Sequence, residues 1–201
     1  YGCARRLYYQ KTGADKDREF RTNAAIIAGK RMEDSIAEDV AAKTGWKIRR
    51  KGTVAKGNEG ARVDREIVGH PKGPGVLEIK TVSDRSYWGW KRDGIPTAYL
   101  LQLQWYLHVL DRSWGAIAAF NRDTEQLDVY EFEANADLQA LVAQKSAQFW
   151  LNVVHRVMPT ALADRDTRCE SCEWEYTCKM QDWGKVSDKG LVQIEGLSVL
   201  A

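Results

Sequence analysis

Apolar and polar positions along this chain follow two rhythms. From Thr22 to Thr44 apolar residues return at Ala25, Ile26, Met32, Ile36 and Val40, close to a 3.6-residue period, which predicts a long helix stopped at Gly45. Trp46 to Val54 alternates apolar with basic residues and predicts a strand, followed by a turn over Lys56–Gly60. Asp64–Gly69 and Val76–Thr81 are β-branched runs on either side of the Pro/Gly-rich stretch His70–Gly75, predicting a strand, a turn and a second strand. A helix with Pro at its start is predicted over Pro96–Asp111. Strands follow at Trp114–Phe120 and Leu127–Phe132, joined by a hairpin loop. A last long helix, Asp137–Val157, carries Leu138, Leu141, Val142, Phe149 and Val153 on its apolar face. At the start, Cys3 to Gly13 reads as a short helix, and Ser83 to Pro96 reads as a loop. This order predicts an α/β fold, a mixed sheet flanked by helices, in a single domain spanning 1–201.

Composition changes this picture little. The chain is 44% hydrophobic and 29% charged, with no apolar run of membrane-span length. Its net charge of +2 neither demands nor excludes nucleic acid, but basic residues cluster at Arg5–Arg6, Lys47–Lys56 and Lys91–Arg92. No secretory signal is visible, and the expectation is a cytoplasmic protein of a prokaryotic or phage-infected cell.

The candidate chemistry sits on the paired strands. Glu78 and Lys80 are two apart and project to one face, where Asp64 of the neighbouring strand can meet them. Two carboxylates and a lysine converging on one face are costly unless a cation or a substrate uses them. A divalent metal bound through oxygen beside a phosphate is the natural occupant. Gly29 and Glu33 are one turn apart on the first long helix, and Gln102 and Tyr106 are one turn apart on the second. In the Ser83–Pro96 segment, Trp88, Trp90, Lys91 and Arg92 interleave aromatics with cations, which suits single-stranded nucleic acid. The alternative is that the two tryptophans pack against the sheet.

Asp64 followed by Glu78-Ile79-Lys80 resembles the core motif of the PD-(D/E)xK nuclease superfamily. The order Gly29-x-x-x-Glu33, Asp64, Glu78-x-Lys80, Gln102-x-x-x-Tyr106 resembles its RecB-like branch. The segment Pro96-x-x-Tyr99-x-x-Gln102-x-Gln104 is similar to the corresponding stretch of the phage λ-exonuclease and YqaJ relatives. The literal Pro-Asp is absent, since Val63 precedes Asp64. The resemblance implies a restriction-endonuclease-like core with Mg²⁺ or Mn²⁺ on Asp64, Glu78 and the Ile79 carbonyl, and Glu33 assisting a second ion. It implies that Lys80 orients the attacking water or neutralises charge developing on the phosphorane oxygens, while Gln102 and Tyr106 position the phosphate and brace Lys80.

Four cysteines complete the pattern: Cys3 alone near the start, then Cys169, Cys172 and Cys178 as Cys-x2-Cys-x5-Cys. By chemistry alone four thiolates suit Zn²⁺ or a [4Fe–4S] cluster. The spacing is similar to that of AddB-type and CRISPR-associated RecB-like exonucleases, which implies an iron–sulfur cluster joining the two ends of a core from residue 3 to 178. Arg5 and Arg6 would then lie beside the cluster and help hold DNA, with residues 184–201 as a tail without a motif. The expected function is a DNA exonuclease acting on single-stranded ends, with recombination or CRISPR-adaptation proteins as partners. A structure-selective endonuclease and an inactive DNA-binding module on the same core are the alternatives.

Overall fold

The computed structural model describes residues 2–19, 24–57, 59–163 and 166–180. These form two compact units, one of the described residues between 24 and 148 and one joining 2–19 to those between 149 and 180. The predicted 184–201 tail lies outside the described residues.

The first unit is built on a five-stranded sheet in the order β1-β2-β3-β4-β5. Its strands are β1 (Lys47–Lys56), β2 (Glu59–Val68), β3 (Gly75–Val82), β4 (Trp114–Asn121) and β5 (Leu127–Glu133). The β3–β4 pair is parallel and the other three pairs are antiparallel. A parallel pair needs a long crossover, and here it consists of α3 (Asp84–Asp93) and α4 (Thr97–Leu110). On one face α4 packs Leu103 and Leu107 against Val76, Ile117 and Ala119. On the other, α2 (Ala24–Thr44) packs Ile36, Ala37 and Val40 against Ile67, Leu77, Ile79 and Ala118. With both faces covered, β4 is buried along its whole length, which explains its unbroken apolar run.

Two glycines allow this packing. A Cβ on Gly115 would stand 2.7 Å from the Val76 carbonyl oxygen of the neighbouring strand, and one on Gly75 would stand 2.7 Å from the fully buried Trp114 ring. Neither neighbour has room to retreat in a close-packed interior.

The segment from Ser83 to Pro96 is a helix and not the expected loop. Ser83 caps it by accepting a hydrogen bond from the Ser86 amide, and Gly94 ends it with φ +87°. Tyr87 and Trp90, three apart, are its buried face. The i, i+3 pair was the helical signal, hidden between two turn formers and by Gly89.

The second unit contains α1 (Ala4–Thr12), the C-terminal end of α5 (Ala136–Val154) and a 3-10 turn over Thr167–Cys169. Tyr8, Tyr9, Cys172 and Trp174 form its small core, with Phe149, Val153 and Met158 packed around them. Gly13 closes α1 in the left-handed region, φ +71°, as the sequence predicts.

Candidate active site

The site lies where two sheet ladders fail. Between Arg50↔Arg65 and Gly52↔Val63 the β1–β2 ladder lacks the Lys51–Asp64 pair, and Gly52 adopts φ +80°. The facing of β2 changes at this point. Ala61 and Val63 pack on the α4 side, whereas Ile67 packs on the α2 side and Arg65 reaches Asp34 of α2. The β2–β3 ladder pairs Arg65↔Leu77, Glu66↔Val76 and Ile67↔Gly75, then stops. Asp64 and Glu78 would be the next pair. Instead the Asp64 carboxylate Oδ2 accepts the Ile79 amide at 3.0 Å. A side chain thus replaces a strand in satisfying a backbone donor, and the open fork brings two carboxylates side by side.

Glu78 and Lys80 face α4, as their two-residue spacing requires. Lys80 Nζ donates to Glu78 Oε1 at 2.5 Å and to Gln102 Oε1 at 3.2 Å. The Gln102 amide donates to Glu78 Oε1 at 2.8 Å and to the Tyr106 hydroxyl at 2.7 Å. Tyr99, one turn before Gln102, lies under Lys80 with its ring centroid 4.9 Å from Nζ. Sequence reasoning did not assign Tyr99 to the site, although its i−3 spacing from Gln102 puts it on the same helical face.

Glu78 is only 2% exposed. Its Oε1 is held by Lys80 and Gln102, but its Oε2 is buried and takes no hydrogen bond among the described residues. Burial pushes the Glu78 carboxyl up to about 7; Lys80 opposes the shift and nearby Asp64 adds to it. Glu33, half-buried on α2, is also raised, first by burial and then by Asp64. An orphaned carboxylate oxygen beside a second carboxylate suits a divalent cation with oxygen ligands. Among the described residues no three His, Cys, Asp or Glu side chains are grouped to hold a metal. The fit therefore rests on the Asp64–Glu78 pair, with Glu33 in the same acidic field but not in a three-carboxylate cage.

The remaining assignments divide. Gly29 lies over Thr81, where an added Cβ would make ordinary contact at 3.7 Å, so crowding within the chain does not require the glycine. Trp90 is 6% exposed and packs on Tyr99, so it is core and offers no face to a base. Trp88 is 49% exposed, with its indole N–H on Asp84. Lys91 pairs with Asp128, and Arg92 pairs with Asp93. Arg5 is 4% exposed, bonded to the Pro159 carbonyl and to Cys178 Sγ, and Arg6 is paired with Glu173. These two arginines brace the second unit, which accounts for them without DNA. Gln104 is buried and structural, tied to the Glu133 carbonyl and the Asn135 amide. The reading also missed Glu66, fully buried on β2 and bound by Arg49, Lys51 and Arg112. An acid directly across a strand pair from Arg49 was the available signal.

The four cysteines are free thiols in the second unit. Burial is the first cause that raises the Cys169 thiol, and Cys3 is the next. Cys3 caps α1, accepting the Arg6 amide at 3.4 Å, and Cys178 accepts from Arg5 at 3.5 Å. They are not, however, arranged as a metal-holding group, so the expected four-cysteine closure is not formed as such.

The helix, five-stranded sheet and crossover helices are the fold of known exonucleases. The alkaline exonuclease LHK-Exo of Laribacter hongkongensis, solved in complex with dAMP, superposes with a TM-score of 0.64 at 19% identity, covering 76% of this chain and 78% of that one. A phage-related exonuclease of Haemophilus somnus 129PT gives 0.55 at 12% identity, over 76% and 81% of the two chains. Residues 3–113 match the YqaJ-like viral recombinase domain, and the chain belongs to that family. The protein YqaJ of Bacillus subtilis (strain 168), itself uncharacterised, is 31% identical over 149 residues, 72% of this chain. The present chain spans only 46% of that relative's length. The family shown is thus the YqaJ-like recombinase branch rather than the iron–sulfur exonucleases that the cysteines resemble.

Proposed function

We propose that this domain is a Mg²⁺- or Mn²⁺-dependent deoxyribonuclease that hydrolyses phosphodiester bonds from DNA ends, acting on single strands. The observation that carries the reading is the buried, unbonded Glu78 Oε2 beside Asp64, with Lys80 and Gln102 fixing the other oxygen. Family membership and the shared exonuclease fold support it. Asp64 and Glu78 would hold the ion, with the Ile79 carbonyl and Glu33 completing its surroundings. A bound divalent ion supplies an acidified water and neutralises phosphate charge. Lys80 places a positive charge next to the reacting phosphate. Gln102 and Tyr106 keep Lys80 and Glu78 in register, and the Tyr99 ring backs the ammonium. The DNA partner, and recombination proteins acting with it, follow from the same reading.

The second unit supports a further part of this proposal, a structural [4Fe–4S] cluster, or Zn²⁺, on Cys3, Cys169, Cys172 and Cys178. All four cysteines belong to this unit as free thiols, and the sulfurs of Cys3 and Cys178 accept hydrogen bonds from Arg6 and Arg5. Iron and zinc contents of anaerobically purified protein separate the two metals, and absence of both removes this part of the proposal.

The nuclease reading is tested with end-labelled linear single strands, linear duplex and circular single strands, each with Mg²⁺, Mn²⁺ or EDTA, and with Glu78→Ala beside the wild type. Metal-dependent loss of linear single strands only, abolished in Glu78→Ala, is the expected result. Cleavage of circles would make it an endonuclease. DNA binding without cleavage under any metal would make it a binding module.

A further inference from the structure

The acidic fork presents a physical difficulty for the proposed substrate. Glu33, Asp64 and Glu78 face a ligand that is itself an anion at every phosphate, and Lys80 is already engaged by Glu78 and Gln102. The cations of the β1–β2 hairpin that are bound to carboxylates offer little relief. Arg49 and Lys51 hold Glu66, while Arg50 and Arg65 hold Asp34.

Two cations at the rim differ from these. Arg62 is exposed on β2, two residues before Asp64, and its side chain forms no ion pair or hydrogen bond with the described residues. Its neighbours Ala61 and Val63 are buried on the α4 side, so Arg62 projects to the opposite face, the side on which α2 lies. Lys30 is exposed on α2, one turn before Glu33, and it too forms none. Arg62 stands two residues from Asp64 along β2, and Lys30 follows Gly29, which lies over Thr81, the residue after Lys80. Separate elements thus bring an arginine and a lysine, neither with an ion pair among the described residues, to the same edge of the acidic site. Arg31, also exposed and without an ion pair among the described residues, turns about 100° away from Lys30 around the helix.

We infer that Arg62 and Lys30 grip backbone phosphates of the DNA strand next to the scissile bond, independently of base sequence. This rests on the nuclease reading and adds to it the residues that hold the strand over an anionic site. Arg62 supplies a planar fork for two phosphate oxygens, and Lys30 supplies a point charge. They are positioning residues and do not touch the reacting atoms.

The test uses the full chain in a non-cleaving Glu78→Gln background and measures binding of a fluorescent single-stranded oligonucleotide by anisotropy from 50 to 300 mM salt. A lost phosphate contact on a single strand flattens the slope of log K against log salt by about 0.7. Arg62→Ala and Lys30→Ala are each expected to lower affinity several-fold at the lowest salt and to flatten the slope by about that amount, equally for different base sequences. Arg62→Lys should restore the slope, and Arg31→Ala should leave it as in the parent. An unchanged slope in Arg62→Ala and Lys30→Ala, with the parent binding DNA, overturns the inference and leaves the nuclease reading standing. Equal flattening in Arg31→Ala also overturns it, because the effect would then be diffuse charge. A parent that binds neither single-stranded nor duplex DNA removes the nuclease reading and the inference with it.

Discussion

Glu78 gives a measurable consequence of a carboxyl built to sit beside a cation. With no metal bound, its carboxyl is raised from an ordinary value of 4.5 to about 7, chiefly by burial. An acid whose folded pKa is raised favours the fold in its protonated form. Its contribution is fully present below the unfolded pKa, near 4.5, and is lost as pH rises through 7. Lowering the pH from 8 to 5 in EDTA should therefore stabilise the wild type relative to Glu78→Gln, which has no proton to gain. Linkage at 1.36 kcal/mol per unit makes the change in that difference about 2–3 kcal/mol. The assay is urea unfolding of both proteins at pH 8, 6.5 and 5, read by tryptophan fluorescence. Saturating Mg²⁺ should stabilise the wild type at pH 8 and have little effect on Glu78→Gln, because the ion replaces the proton as the partner of the carboxylate. A wild-type minus variant difference that is flat between pH 8 and 5 would refute the reasoning.

Three further outcomes follow from the fold. Glu66→Gln leaves Arg49, Lys51 and Arg112 around an uncharged group and is expected to cost roughly 3 kcal/mol in urea unfolding at pH 7. In the wild type the Glu66 carboxyl is held down at about 2, with burial opposed by Arg112, Arg49 and Lys51. Its contribution is therefore present above pH 4.5 and lost as pH falls toward 2, and the variant should lack that part of the acid transition. Gly115→Ala should destabilise by about 1–3 kcal/mol or prevent folding, because the added methyl meets a backbone oxygen in the strand ladder, whereas Gly13→Asn at the end of α1 should be close to neutral. Lys80→Ala should abolish cleavage and retain DNA binding, measured by the end-label and anisotropy assays.

The residues that carried the reading were the ones whose spacing fixes their direction. Glu78 and Lys80 share a face because strand residues two apart must, and Gln102 and Tyr106 meet because helix residues four apart do. Local geometry was enough for these. The same rule, applied to Tyr87 and Trp90, would have given the helix at Asp84–Asp93. Turn formers at both ends and Gly89 hid it, and the two tryptophans were weighed together, as a surface or as core, when Trp90 is core and Trp88 is exposed. Arg5 and Arg6 read as DNA contacts because basic pairs usually face solvent. Their acceptors, Pro159, Cys178 and Glu173, are more than 150 residues away, and no local pattern points to them.

The sequence by itself determined the order of the five strands and of every long helix but α3, the α/β class and the shared faces of Glu78 with Lys80 and of Gln102 with Tyr106, because period and spacing are properties of the chain alone. Only the tertiary structure decided that Asp64 and Glu78 meet. That meeting depends on the β2–β3 ladder ending where the β1–β2 ladder skips one pair, on the change of face in β2 and on a side chain taking the Ile79 amide. It also decided that one oxygen of Glu78 is left buried without a hydrogen-bond partner among the described residues. These depend on which strands pair and where they part, and a strand does not carry the register of its neighbours.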